Sequence, residues 1–159
     1  MTGAASVTVP RIMIVEARYY THIADELLKG AMAALDEAGA AHERFTVPGA
    51  FEIPAAIGYA VSAARRDTAE TRFDGYVALG CVIRGETTHY DYVCQESARG
   101  LQELALAYHL ALGFGILTVE NEEQALARAR VDRKNKGGEA ARACLAMIEL
   151  KRRFGLDRV

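Results

Sequence analysis

The residues best suited to chemistry gather in one short stretch. After an apolar run over residues 76–83, the chain turns polar at Arg84-Gly85-Glu86-Thr87-Thr88-His89 and then takes up a helical pattern. A strand, a short loop and a helix start make a crossover unit, and in open parallel sheets ligands lie beyond the carboxyl ends of the strands. Free backbone N–H groups, the hydroxyls of Thr87 and Thr88 and the positive end of the next helix suit an anion there. His89 adds an imidazole able to move a proton near neutral pH. The same spacing has a plainer reading, because Thr88 with Asp91 also forms a capping box, and the loop alone leaves both open. It is not a nucleoside-triphosphate loop. Gly80 and Gly85 have the right separation, but Glu86 stands where a lysine is required and Gly80 lies inside the apolar run. No G-x-G-x-x-G follows a strand either, which leaves a dinucleotide site without support.

Two other strand ends carry residues that complement this loop. The first predicted strand runs into Arg18-Tyr19-Tyr20, the second into Gly49-Ala50-Phe51-Glu52. Tyr19 and Phe51 would stack on a flat ring, and Glu52 would accept hydrogen bonds from a hydroxylated substituent. Each residue has a duller role available: the aromatics as plugs of the sheet edge, Glu52 as a charge favouring a helix N-terminus. Convergence of all of them on one edge of one sheet is what argues for a site.

The elements that must position these groups alternate strand and helix. Residues 11–16 form a short apolar strand; Ile23, Leu27, Ala31 and Leu35 fall on one face of a helix that stops at Gly39. Residues 44–47 make a second strand, closed by Pro48-Gly49. A second helix carries Ile53, Ile57, Ala60, Val61 and Ala64 on one face, with Pro54 in its first turn. A third helix presents Cys94, Ala98, Leu101, Leu104, Ala105 and Tyr108, and residues 114–119 form the fourth strand. Asn121 with Gln124 caps a fourth helix, Lys136-Gly137-Gly138 reads as a break, and Ala141, Cys144, Leu145 and Ile148 mark a last helix. This alternation predicts an α/β fold: a three-layer sandwich whose four-stranded parallel sheet, in the flavodoxin-like order 2-1-3-4, is flanked by helices.

Composition sets the outer bounds. The 159 residues fit a single domain, 51% hydrophobic and 25% charged, with a net charge of −2 that gives no reason to expect nucleic acid or a membrane surface. Residues 1–9 read as a flexible N-terminal arm without signal-peptide character. Cys81, Cys94 and Cys144 are odd in number and widely spaced, and they form no metal-ligand pattern with the histidines. Reduced thiols in a cytoplasmic protein fit best, and no metal or cofactor is expected.

Four segments in order carry a resemblance to a known family: VPGAFEIP (47–54), LGCVIRGETTHYDYVC (79–94), FGILTVENEEQALAR (114–128) and NKGGEAA (135–141). Together they resemble the 6,7-dimethyl-8-ribityllumazine synthase family along nearly the whole chain. The resemblance implies a flavodoxin-like sheet and a cofactor-independent transferase of riboflavin biosynthesis. Its substrates would be 5-amino-6-(D-ribitylamino)uracil and 3,4-dihydroxy-2-butanone 4-phosphate, with phosphate and water released. It further implies that Tyr19 stacks on the pyrimidine, where the family more often has Phe or Trp. Ala50, Phe51 and Glu52 would hold the ribitylamino group, and Cys81, Val82 and Ile83 would lie beside the pyrimidine. Glu86 and Thr87 would bind phosphate, His89 would donate a proton, and Phe114, Arg128 and Lys136 would complete the pocket. Two other readings remain: an archaeal-type riboflavin synthase, or a non-catalytic shell protein that binds a lumazine or flavin.

Phe114 poses a geometric problem. It stands near the start of the fourth strand, while the site lies at the carboxyl ends; five residues at ~3.3 Å each put it about 16 Å from that edge. A neighbouring subunit in a head-to-tail ring would bring it close. The resemblance implies such pentamers, or multiples of them, with Phe114 and Arg128 supplied by the next chain. Arg128 lies in the basic run RARVDRKNK, whose charges are mostly a solvated face, but its planar fork suits a phosphate.

Overall fold

The computed structural model describes residues 8–66 and 72–156. The segment 1–7, which holds most of the expected flexible arm, lies outside the described residues. Strand β1 (Arg11–Ala17) leads to helix α1 (Thr21–Glu37), and β2 (Ala41–Val47) leads through a single 3-10 turn, Ala50–Glu52, to α2 (Ile53–Ala64). Strand β3 (Gly75–Ile83) precedes α3 (His89–Tyr108), and β4 (Leu112–Val119) precedes α4 (Glu122–Ala129) and α5 (Lys136–Arg153). The sheet is parallel throughout in the order β2-β1-β3-β4, as the alternation predicts.

A parallel sheet buried on both faces needs two apolar layers. On one face Ile12, Ile14, Val77 and Leu79 pack under α1, α4 and α5, against Leu27, Ala125 and Cys144. On the other, Met13, Val15 and Ala78 meet Ile53, Ile57 and Leu101 from α2 and α3. The apolar face expected for α1 is buried, and of that expected for α2 Ile53, Ile57 and Val61 are buried while Ala60 and Ala64 are half-buried, with Pro54 in the first turn. The segment 104–119 is the end of α3 and the strand that follows, and no helix among the described residues is long and apolar enough to cross a membrane.

Four local readings need correction. The buried row of α3 is Val93, Ser97 and Leu101, about one residue round from the expected Cys94 and Ala98. Ser97 tolerates burial because its hydroxyl donates to the Cys94 carbonyl oxygen at 3.2 Å. Strand β2 starts at Ala41, three residues early, as an exposed edge whose polar sequence hides its pairing with β1. Lys136-Gly137-Gly138 is no break but the first turn of α5. Its N-cap, Asn135, takes a left-handed conformation (φ 46°) and accepts from the Gly138 N–H at 3.2 Å. Glycine is required at 137 because a Cβ there would sit 2.0 Å from the Leu27 carbonyl oxygen, so α1 and α5 touch backbone to backbone. Finally, Thr88 occupies the N-cap position of α3 without capping it by its side chain, and Asp91 turns instead to Arg84. The α4 cap is as expected: Asn121 Oδ1 accepts from Gln124 N–H, and Gln124 Oε1 accepts from Glu120 N–H, each at 2.9 Å.

Candidate active site

A cleft of about 620 Å³ opens at the carboxyl ends of β1, β2 and β3. Each strand hands its wall residues over as it runs out. Tyr19 comes from the β1–α1 turn, Ala50, Phe51 and Glu52 from the 3-10 turn after β2, and Cys81, Val82 and Ile83 from the end of β3. Thr87 and His89 come from the loop into α3. Nine of the expected site residues therefore line one cavity, drawn from three separate stretches of chain.

Exposure decides against the plug reading of the aromatics. Tyr19 is 76% exposed and Phe51 55%, which no residue sealing a sheet edge would be. Tyr19 is steadied by the ring of Tyr20, edge to face at 4.9 Å. Glu52 stands at the N-cap position of α2 yet makes no side-chain cap bond, so its exposed carboxylate is available to the cleft. Gly49 leaves it room, since a Cβ there would lie 3.1 Å from Glu52 Oε2. Ala50 is buried and presents backbone. The Cys81 thiol is pushed up to about 12, by burial first and by the neighbouring Cys94 second, so it is a neutral thiol and no nucleophile at ordinary pH.

The loop over residues 84–88 is held from behind. Arg84 extends the β3–β4 ladder by donating its N–H to the Val119 carbonyl oxygen at 2.9 Å. Its side chain donates to Glu120 at 2.8 Å and to Asp91 at 3.3 Å, and lies 4.2 Å over the ring of Tyr90. Arg84 thus fixes the loop without entering the cleft, a role hidden in the sequence because Glu120 lies 36 residues away. Thr87 Oγ1 accepts the His89 backbone N–H at 3.3 Å, so Thr87 rather than Thr88 meets the first donors of α3. Gly85 joins the cleft wall, as its place in the anion loop implies, and so do Pro48, Gly49, Tyr20, Tyr90 and Val93, to which sequence reasoning assigned no contact. Glu86 is exposed and is not on that wall.

The remaining three residues lie elsewhere. Phe114, Arg128 and Lys136 line a second cleft of about 350 Å³ along β4, the edge strand, where it meets α4 and α5. Phe114 pairs with Ala78, five residues short of Ile83, which upholds the separation of about 16 Å from the carboxyl edge. Its ring is 49% exposed although its alternation partners Leu112 and Ile116 pack inward. Gly113 lets α5 cross β4 closely, for a Cβ there would lie 1.9 Å from the Ala140 carbonyl oxygen. That crossing brings the start of α5, with Lys136, beside the end of α4, with Arg128. Arg128 donates to the Gln124 carbonyl oxygen at 3.1 Å, and Lys136 pairs with Glu139 at 2.8 Å.

One chain thus carries two separate surfaces: an aromatic and hydroxyl-bearing cleft with a carboxylate and an imidazole, and an aromatic edge with two cations. Among the described residues, no three His, Cys, Asp or Glu side chains cluster to hold a metal ion. Comparison with known proteins places the chain in a family. The family model for 6,7-dimethyl-8-ribityllumazine synthase matches residues 9–152. A 6,7-dimethyl-8-ribityllumazine synthase 1 of Rhizobium meliloti is 60% identical over 147 residues, covering 92% of this chain and 95% of its own. The 6,7-dimethyl-8-ribityllumazine synthases of Sphingopyxis alaskensis (59% over 145 residues; 91% and 97% covered) and Paramagnetospirillum magneticum (55% over 147; 92% and 98%) match at similar lengths. With identity this high over nearly the full length of each relative, the chain belongs to the 6,7-dimethyl-8-ribityllumazine synthase family.

Proposed function

We propose that this chain makes 6,7-dimethyl-8-ribityllumazine, the penultimate step of riboflavin biosynthesis, in pockets built between adjacent copies of itself. Membership of the family supports the activity. The observation that carries the shared pocket is the division of the site residues between two clefts on one chain. A head-to-tail contact that closes as a ring, a pentamer or a multiple of pentamers, would set the β4 edge of one copy against the strand-end cleft of the next.

In that pocket Tyr19 would stack on the pyrimidine, with the β3 end of Cys81, Val82 and Ile83 along its rim and Phe51 against the ribitylamino group. Glu52 would take the ribityl hydroxyls. The phosphate of the four-carbon substrate would sit beside Gly85 and Thr87, on backbone N–H groups of the loop that includes Glu86, gripped from the neighbour by Arg128 and Lys136, with Phe114 closing the wall. The pyrimidine amine attacks the ketone and loses water to an imine. Phosphate then leaves, and the second amine closes the ring with loss of another water. His89 would move protons in these steps, and the cations would stabilise the departing phosphate. Both reactants carry their own reactivity, so holding them together is the main service, worth ~7–11 kcal/mol at best.

Three unpaired thiols support a reducing compartment, the cytoplasm. The reading is tested by mixing the two substrates with the protein and following lumazine and phosphate together. Equal amounts of both products support it, and no turnover beside tight lumazine binding would favour a shell protein. Lumazine supplied alone should stay unchanged; its conversion to riboflavin would favour the other synthase.

A further inference from the structure

Glu16 is a charged residue that the core encloses: it is 1% exposed, at the end of β1 on the face that packs under α1. Its Oε1 accepts from Arg18 Nη1 at 2.9 Å and lies 3.8 Å from Arg44 Nε, while Oε2 has no partner among the described residues. A buried carboxyl with one oxygen unmet is destabilising, and an apolar pair of similar volume would serve the core as well. The guanidinium that meets it reaches further. Arg18 Nη2 bonds Asp25 on α1, so a single side chain ties the end of β1 to its following helix across the turn 18–20. The other anchors of that turn are Tyr20, half-buried against the core, and the His22–Glu122 pair just beyond it; α1 itself begins with no side-chain cap and no acidic residue in its first turn. Tyr19 stands in the middle of it, exposed and touching the ring of Tyr20.

We propose that the Glu16–Arg18–Asp25 bridge is a positioning device that sets the β1–α1 turn so that Tyr19 stands as one wall of the pyrimidine pocket. Glu16 and Arg18 are positioning residues, acting through Tyr19. The inference rests on the proposed function only in taking Tyr19 as that wall.

The chain contains no tryptophan, so Tyr19→Trp installs a single fluorescent reporter at the wall. Two backgrounds cut the bridge differently. Asp25→Ala removes the acceptor at an exposed position and leaves the core alone, and Glu16→Leu with Arg18→Met replaces the buried carboxylate and its half-buried partner by apolar groups. In both, the introduced indole should become more mobile by time-resolved anisotropy and more open to acrylamide quenching. In the same backgrounds with Tyr19 restored, KM for the pyrimidine amine should rise about three- to tenfold, the range for losing one aromatic stack, with kcat and the other KM little changed. An indole as immobile in both backgrounds as in the Tyr19→Trp single variant overturns the proposal. So does a uniform loss in kcat and both KM values that follows the melting temperature. A parent protein that makes no lumazine would fail the proposed function instead, and the reporter would still read the bridge.

Discussion

Replacing Arg128 by alanine should remove most turnover and leave the fold intact. Among the described residues its guanidinium makes one hydrogen bond, to the Gln124 carbonyl oxygen of its own helix. Alanine is the better helix former, so stability should change by less than ~0.5 kcal/mol. The loss in the assembled site is of another size. A fork on a phosphate makes two charge-assisted bonds at ~1.5–3 kcal/mol each, so removing both costs ~3–6 kcal/mol, or roughly 10²–10⁴ in kcat/KM. His89→Ala should be milder. The imidazole is exposed and has no hydrogen-bond partner among the described residues, so it acts from an unfixed position. A group of that kind supplies the low end of ~10²–10⁴-fold, and proximity survives its removal. Steady-state kinetics on both variants, with the phosphate substrate varied, and thermal melts alongside, give the ranking. A dead His89→Ala enzyme beside a healthy Arg128→Ala enzyme would refute the reasoning.

Three further predictions follow from the packing. Gly137→Ala puts a methyl 2.0 Å from the Leu27 carbonyl oxygen, a backbone atom that cannot step aside, so α5 must lift from α1 at ~1–3 kcal/mol or more; an unchanged denaturation midpoint would contradict it. Asn135→Ala should lose ~1–3 kcal/mol, the cap bond to Gly138 N–H plus the strain of φ 46° on alanine, while Asn135→Gly should lose less because glycine relieves the strain. Denaturant melts of both show the order, and equal losses would refute it. Burial pushes the Cys144 thiol up to about 12 from an unfolded value of 9.0, so the unfolded chain gives up that proton first. Stability is then fully present below pH 9.0 and falls as pH rises toward 12, by ~1.4 kcal/mol per pH unit from this thiol alone. Cys144→Ala should flatten that slope, and an equal slope in both proteins would sink the assignment.

Much of this architecture is legible in the order of residues, because a parallel sheet announces itself through apolar runs alternating with helical periods. The topology those periods imply is enough to bring Tyr19, Phe51, Glu52 and His89 to one edge, where the cleft lies. What stays hidden depends on contacts that only the folded chain shows, most of them distant in sequence. Ser97 reads as surface because its hydroxyl finds a partner only three residues back, inside the helix that buries it. Gly137 looks like a breaker because a close approach by Leu27 is invisible without the fold. The Arg84 clamp needs Glu120, and nothing in the spacing connects them. The grouping of Lys136 with Phe114 and Arg128 likewise needs the crossing of α5 over β4, which Gly113 permits.

The most direct test of the shared pocket is complementation between two inactive variants. Arg128→Ala spoils the β4-edge surface and leaves the strand-end cleft whole; Phe51→Ala with Glu52→Ala does the reverse. Unfolded together in equal amounts and refolded, random rings should place an intact edge against an intact cleft at roughly a quarter of the contacts. Lumazine formation should then return to about that fraction of the parent rate. A mixture as inactive as either variant alone, with mixed rings demonstrated by mass spectrometry, would contradict a pocket made by two chains.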